Sequence, residues 1–276
     1  MPSPLTIESP PLLGLDFSSS PSRRKPVVMA LGERRGAVVR LTGLERFLTL
    51  DAMRERLCGL PAWLGGFDLP FGLPRELVEA LGWPRQWPAL MDHFCAQSRP
   101  ELRAQFQAFM APRPAGGKFA HRACDGPAGA SPSMKWVNPP VAWMMHAGVP
   151  LLRAAKATLP GLCEGRPERV ALEAYPGLLA RELIQRRSYK SDDAARQTPE
   201  RLIARKDLVE ALEQGRSRLG LRLKLSHAQR EALVDDATGD SLDAVLCLMQ
   251  AAWAGEQPGY GLPPGVDPVE GWIVSA

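Results

Sequence analysis

The chain has 276 residues, of which 45% are hydrophobic and 23% are charged, a balance typical of a packed globular protein rather than a disordered one. Its 34 basic and 30 acidic residues leave a formal net charge of +4. This modest excess permits a polyanionic partner without requiring one, so charge alone selects no function.

The sequence gives no sign of a leader, a membrane span or a metal-binding cysteine framework. It starts without a basic segment followed by an apolar run, and no later stretch approaches the ~20 apolar residues of a span. The five cysteines form no CxxC pair, and the His121/Cys124 spacing has no second pair to complete a zinc site. We therefore expect a cytoplasmic protein with reduced thiols and no membrane contact.

Short apolar runs open the chain and predict a sheet. LLGLDF, KPVVMAL and GAVVRL, separated by polar and glycine-containing turns, predict three consecutive antiparallel strands. LERFLTLDAMRERLCGL then has apolar residues at helical intervals, and WLGGFDL predicts a further strand. Pro74 suits the first turn of the next helix.

The character of the sequence changes between residues 82 and 166, where Trp and Pro recur and the helical pieces are short. We interpret this segment as an insertion, or cap, that covers one end of the sheet within a single domain spanning residues 1–276. RVALEAYP then predicts a fifth strand, followed by helices up to the apolar stripe of GDSLDAVLCLMQAAW. The predicted class is α/β, with a mixed sheet of about five strands flanked by helices.

Two of the predicted strands carry an aspartate two residues after a glycine. Gly14 precedes Asp16, and Gly66 precedes Asp68. Because residues i and i+2 share one face of a strand, each glycine leaves room beside the acid for another element or a ligand. The alternative for either aspartate is an ordinary turn residue.

Asp240 and Asp243 stand three residues apart at the start of the last helix, so both side chains lie on one face. They suit a structural role as well, Asp240 as an N-cap and Asp243 as an acidic residue favoured by the helix dipole. Carboxylates gathered from distant segments are also the ligands that Mg²⁺ and Mn²⁺ prefer. We therefore predict that Asp16, Asp68, Asp240 and Asp243 meet at one metal site.

Several segments carry a family resemblance. GLDFSSSPSRRKP, GGFDLPFGLP, LEAYPGLLA, SYKSD and GDSLDAVLCLMQAAWA are similar to the bacterial family known as domain of unknown function 429, and the order of the acids resembles Holliday-junction resolvases of the RuvC type. The resemblance covers the chain from about residue 12 onward. It implies a ribonuclease-H-like fold and a nuclease that uses Mg²⁺ or Mn²⁺ to hydrolyse DNA or RNA.

Carried over by residue, the resemblance implies that Asp16 is the central ligand, that Asp68 is the second-strand acid, and that Asp240 and Asp243 are the helix acids. Glu173 in LEAYP is a further catalytic candidate, with metal ligation, water binding and pairing with an arginine as its possible roles. Two ions at such a site would activate a water and stabilise the leaving oxygen of a phosphodiester.

Basic and hydroxyl side chains near the acids are candidates for substrate binding, since such groups position a nucleic-acid backbone without reading its sequence. An ordinary solvated surface is the alternative for each basic residue. The candidates are Ser18, Ser19, Arg23, Arg24, Lys25 and, in the insertion, Lys135.

Two other classes of function stay open. GLDFSSS resembles the first phosphate loop of actin-like ATPases and sugar kinases, although no second phosphate loop or Walker motif accompanies it. A non-catalytic binding protein on the same scaffold is the third possibility.

Overall fold

The structure is a computed structural model that describes residues 10–276. Three antiparallel strands open the fold, as the apolar runs predict. The start of the chain, for which the sequence predicts no leader segment, lies mostly in residues 1–9, outside the described residues. The strands are β1 (Leu12–Asp16), β2 (Val27–Arg35), β3 (Val38–Phe47), β4 (Trp63–Asp68), β5 (Ala157–Thr158), β6 (Arg166–Glu173) and β7 (Arg222–Lys224).

All seven strands join one mixed sheet in the order β5-β6-β4-β1-β2-β3-β7. β4 pairs parallel to β1, and β6 pairs parallel to β4. The five predicted strands correspond to β1, β2, β3, β4 and β6. The predicted number of about five strands was wrong, because the sheet has seven. The two additional strands, β5 and β7, are edge strands of two and three residues, too short to produce a periodic pattern.

Helices cover both faces of the sheet. They are α1 (Leu50–Gly59), α2 (Arg75–Ala80), α3 (Trp87–Ala96), α4 (Arg99–Met110), α5 (Asp125–Ala128), α6 (Val141–Ala154), α7 (Pro176–Ile184), α8 (Pro199–Glu213), α9 (His227–Asp235) and α10 (Asp240–Ala254). The helix predicted from residue 44 begins later, because β3 continues to Phe47 and the Thr49 side chain caps α1 by accepting a hydrogen bond from the Ala52 N–H.

Two separate hydrophobic cores follow from the alternation of side chains along the strands. Leu13 and Leu15 of β1 belong to the core shared with α1–α4 and α6, whereas Leu12 belongs to the core shared with α7–α10. The segment interpreted as an insertion, residues 82–166, therefore supplies most of one helical layer and shares its core with the sheet.

None of the helices in residues 10–276 combines the length and the apolar character that a transmembrane span needs.

Candidate metal centre

The last helix lies directly against the two strands that carry the glycine-aspartate pairs. A Cβ atom on Gly14 would overlap the carbonyl oxygen of Ala244, and one on Gly66 would overlap that of Cys247. Only glycine allows the α10 backbone to approach β1 and β4 this closely. The glycines therefore bring the start of α10 to the carboxyl ends of both strands.

Asp16 and Asp68 end these two strands and are direct neighbours in the parallel β1/β4 register. Asp16 is buried and Asp68 half-buried, while Asp240 and Asp243 are buried in the first turn of α10. Burial raises the pKa of Asp16 well above its usual range, and the charges of Asp243, Asp240 and Asp68 raise it further. The structure thus brings the four predicted aspartates together.

The same crowding acts on Asp68. Burial, and then the negative charge of Asp243, raise the pKa of Asp68 to about 7, against a lowering by Lys190. Burial also raises the pKa of Asp240, an effect opposed by its hydrogen bond from Lys25. Burial and the mutual repulsion of these acids therefore make their carboxyl groups bind a proton more readily than ordinary aspartates do.

Asp240 is not the N-cap that the sequence allowed as its structural role. Gly239 occupies that position with a φ of 76°, and the free Ser241 N–H of the first turn is bound instead by the Asp236 carboxylate. The Asp240 carboxylate is consequently not used in capping α10.

Two lysines reach the helix acids from different loops. The Nζ atom of Lys25, between β1 and β2, donates to Oδ1 of Asp240 at 2.6 Å and to Oδ1 of Asp192 at 3.0 Å. Lys190, between α7 and α8, donates to Oδ2 of Asp243, whose Oδ1 accepts from the Tyr189 hydroxyl. Both oxygens of Asp243 are therefore in use.

Two buried carboxylate oxygens at the site have no hydrogen-bond partner among the described residues. Oδ2 of Asp16 and Oδ2 of Asp240 are buried and accept no hydrogen bond within residues 10–276. Buried polar atoms are almost always paired, because an unpaired one loses its hydration without compensation. These two oxygens therefore carry a desolvation cost that no hydrogen bond from the described residues offsets.

The donors fit a hard divalent cation in type, since such ions prefer carboxylate oxygens. They do not form a closed coordination shell: no three His, Cys, Asp or Glu side chains in the described part of the chain are arranged as a metal site. Instead, ammonium groups already bind two of the four acids.

Glu173, the further catalytic candidate, has both of its carboxylate oxygens in hydrogen bonds with the protein. Its Oε1 accepts from Arg122 at 2.6 Å, and its Oε2 accepts from Arg122 at 2.8 Å and from the Phe71 N–H at 2.9 Å. Arg122 is itself buried and also binds Asp125. Of the roles considered for Glu173, pairing with an arginine is the one that these contacts support.

The predicted substrate-binding residues divide into three groups. Arg23 and Arg24 are exposed in the loop that follows Asp16, and Ser18 and Ser19 are half-buried in the same loop. Lys25 binds Asp240 and Asp192, so its ammonium group belongs to the cluster rather than to a free binding surface. Lys135 precedes α6 and makes no ion pair or hydrogen bond with the four aspartates among the described residues.

Sequence reasoning missed two residues of the site, Tyr189 and Lys190. The loop that carries them is held by α8, where Arg205 donates to the Tyr189 carbonyl at 2.8 Å and Arg201 to the Lys190 carbonyl at 2.7 Å. The SYKSD segment was part of the family resemblance, and its Asp192 binds Lys25. A second signal was the basic run of Arg186, Arg187 and Lys190, for which a solvated surface is the ordinary interpretation.

Comparison with known proteins adds no relative. No family model matches the chain, and no curated protein or solved structure shows significant similarity to it.

Proposed function

We propose that this protein is a metal-dependent nuclease of ribonuclease-H-like architecture, related to the family known as domain of unknown function 429. The observation that carries the proposal is the meeting of Asp16, Asp68, Asp240 and Asp243, with two buried carboxylate oxygens that have no hydrogen-bond partner in residues 10–276. A hard divalent cation is the ligand that such oxygens suit best.

The architecture gives further support. An antiparallel meander is followed by two parallel strands, and the acids lie on the first strand, on its parallel neighbour and on the final helix. This is the order of acids on which the resemblance to RuvC-type resolvases rests.

The residues have distinct roles in the proposed reaction. Asp16, Asp68 and Asp240 would hold a Mg²⁺ or Mn²⁺ ion, and the exposed Arg23 and Arg24 would bind the phosphate backbone of DNA or RNA. The chemistry that such an ion supplies is activation of a water and stabilisation of the leaving oxygen during in-line attack on a phosphodiester.

The proposal is tested by cleavage assays on single-stranded, duplex and branched DNA and RNA, with Mn²⁺ or with EDTA. We expect cleavage that depends on Mn²⁺, and a loss of at least about 100-fold in Asp16→Asn, the scale seen when one electrostatic contact in an active site is removed. Asp235→Asn, on the exposed end of α9, is the matched control and should cleave at the wild-type rate.

Three results would contradict the proposal. One is an Asp16→Asn protein that cleaves as fast as wild type. Another is a protein that cleaves none of these substrates but binds ATP in a calorimetric titration, which would favour the kinase-like alternative. Absence of cleavage, of ATP binding and of any Mn²⁺-dependent rise in melting temperature would instead indicate a non-catalytic scaffold.

A further inference from the structure

The loop between β1 and β2, residues 17–26, directly follows Asp16 of the aspartate cluster. Its tip, residues 22–24, is exposed. The Lys25 N–H donates to the Ser22 hydroxyl at 3.2 Å, and the Ser22 N–H donates to the Lys25 carbonyl at 3.0 Å. This turn orders the second half of the loop, which carries the Lys25 side chain.

Few contacts attach the loop to the rest of the protein. Outside the pairing of β1 with β2, its hydrogen bonds to other parts of residues 10–276 are those of the Ser19 carbonyl and the Lys25 ammonium group. The Ser19 carbonyl accepts from Arg99 at 3.3 Å, and the Arg99 guanidinium group lies 5.5 Å from the centre of the Trp143 ring. The first half of the loop is therefore attached to the cap, whereas the second half depends on Lys25.

The Lys25 ammonium group bridges two carboxylates of very different exposure. It donates to Oδ1 of Asp240 at 2.6 Å and to Oδ1 of Asp192 at 3.0 Å. The Asp240 side chain is 1% exposed and that of Asp192 is 69% exposed, with Lys25 between them at 36%. The ammonium group therefore lies between the buried acid and solvent.

The outer acceptor of this bridge belongs to an ordered backbone. Asp192 lies in the loop between α7 and α8, where the neighbouring Ser191 N–H donates to the Ala237 carbonyl at 3.0 Å. Because water and salt screen an exposed ion pair, the contact of Lys25 with Asp192 is the weaker half of the bridge. The bridge can therefore open from its outer side.

We propose that the β1–β2 loop is a gate over the aspartate cluster, held closed by the bridge from Lys25 to Asp192 and Asp240. When the bridge breaks, the second half of the loop moves away and the Asp240 carboxylate meets solvent, while the contact of Ser19 with the cap holds the first half in place. The gate controls access to the cluster, and the inference depends neither on the reaction that the cluster performs nor on its holding an ion.

Trypsin measures the opening of the gate, because Arg23 and Arg24 lie in its exposed tip. The rate of cleavage after these two residues, followed by mass spectrometry, tracks the population of locally open chain. Asp192→Asn leaves the cleaved sequence and the four acids unchanged. We expect it to be cut about two- to fivefold faster than wild type, the range that an exposed ion pair contributes.

A second variant removes both halves of the bridge. Lys25→Met keeps the length of the side chain but loses its charge and its hydrogen bonds, so we expect cleavage about tenfold faster or more, the scale of a hydrogen bond to a charged group. Cleavage after Arg169, which is buried in β6, reports global unfolding and should not change in a variant that only opens the gate.

Asp51→Asn is the matched control. It removes an exposed aspartate whose ion pair with Arg54 on α1 is also 3.0 Å long. Because this pair is not part of the bridge, the variant should be cut after Arg23 and Arg24 at the wild-type rate.

Access to the cluster itself is measured by labelling carboxylates with a water-soluble carbodiimide and glycine ethyl ester. Asp240 is buried in the wild type and should be labelled slowly. In Asp192→Asn we expect its labelling to accelerate by the same factor as the cleavage of the tip, since both report one opening.

Equal cleavage of Asp192→Asn and wild type would overturn the inference. Faster cleavage without faster labelling of Asp240 would also overturn it, because the loop would then move without uncovering the acid. Neither measurement uses a nucleic-acid substrate, so failure of the nuclease proposal and failure of the gate are distinguishable. If Lys25→Met does not fold, Asp192→Asn decides the matter alone.

Discussion

Gly14 of β1 and Ala244 of α10 are in backbone contact, so that a single methyl group at Gly14 would overlap the Ala244 carbonyl oxygen. The contact lies two residues before Asp16 and one residue after Asp243. The spacing between strand and helix, and with it the distance between the acids of the two elements, therefore depends on a missing side chain.

The first prediction concerns Gly14→Ala. Because the overlapping atoms belong to the α10 backbone and cannot rotate away, we expect this variant to lower the free energy of unfolding by about 2 kcal/mol or more. Urea-induced unfolding measures the change.

Gly59→Ala is the matched control for that substitution. Gly59 is the last residue of α1, and a Cβ there meets no atom within 4 Å. The free energy of unfolding of Gly59→Ala should therefore be unchanged or higher than that of wild type by up to about 1 kcal/mol. Equal losses in the two variants would contradict the close packing of α10 on β1.

The second prediction concerns the buried ion pair between Arg122 and Glu173. Arg122→Met leaves the carboxylates of Glu173 and Asp125 buried without their cation, and we expect it to lower the free energy of unfolding by about 3 to 5 kcal/mol. Arg56→Met is the control, because the Arg56–Glu45 pair is partly exposed and should contribute about 1 kcal/mol or less.

The same variant tests whether Glu173 belongs to the metal site. At a temperature at which Arg122→Met is folded, we expect it to bind as many Mn²⁺ ions as the wild type. A changed number of ions would show that Glu173 takes part in the site after all.

The third prediction is a pH dependence of stability at Asp267, which binds Arg75 and is not one of the four site acids. Its carboxylate binds Arg75 at 2.5 and 2.8 Å and accepts from the Val269 N–H at 2.8 Å. Burial acts to raise the pKa of Asp267, but the hydrogen bonds from Arg75 and the backbone outweigh it, so the pKa is lowered. The folded state therefore binds a proton here less readily than the unfolded state does.

A lowered pKa contributes stability that is fully present above the unfolded value of about 3.9 and is lost as the pH falls through the folded value. We expect wild type to be more stable than Asp267→Asn by about 1 kcal/mol at pH 7, the range of a partly exposed pair. The difference should shrink below about pH 4. Urea unfolding from pH 7 to pH 3 measures it, and a difference that grows as the pH falls would contradict the assignment.

Much of the site could be predicted because its signals are local. A glycine two residues before an aspartate places both on one strand face, and an Asp-x-x-Asp spacing places two acids on one helix face. The strands that carry Asp16 and Asp68, and the helix that carries Asp240 and Asp243, were therefore predictable from residues within a turn or a strand of each other.

The partners of those acids were not predictable in the same way. Lys25 is 215 residues from Asp240, Lys190 is 53 from Asp243, and Arg122 is 51 from Glu173. No periodicity connects such positions, and the length of a lysine or arginine side chain allows many partners. The same limitation hid β5 and β7, which exist only because neighbouring strands offer them an edge.

The sequence by itself determined the α/β class, the main strands and the identity of the four aspartates, because each depends on side-chain alternation or spacing within one element. Only the tertiary structure decided which charges meet at the cluster. It set Lys25 and Lys190 against Asp240 and Asp243 and bound Glu173 to Arg122. One oxygen of Asp16 and one of Asp240 were left without a hydrogen-bond partner in the part of the chain that the structure describes. The physical reason is that the energy of a buried charge depends on all the groups packed around it, and these come together only when the helical layers close on the sheet.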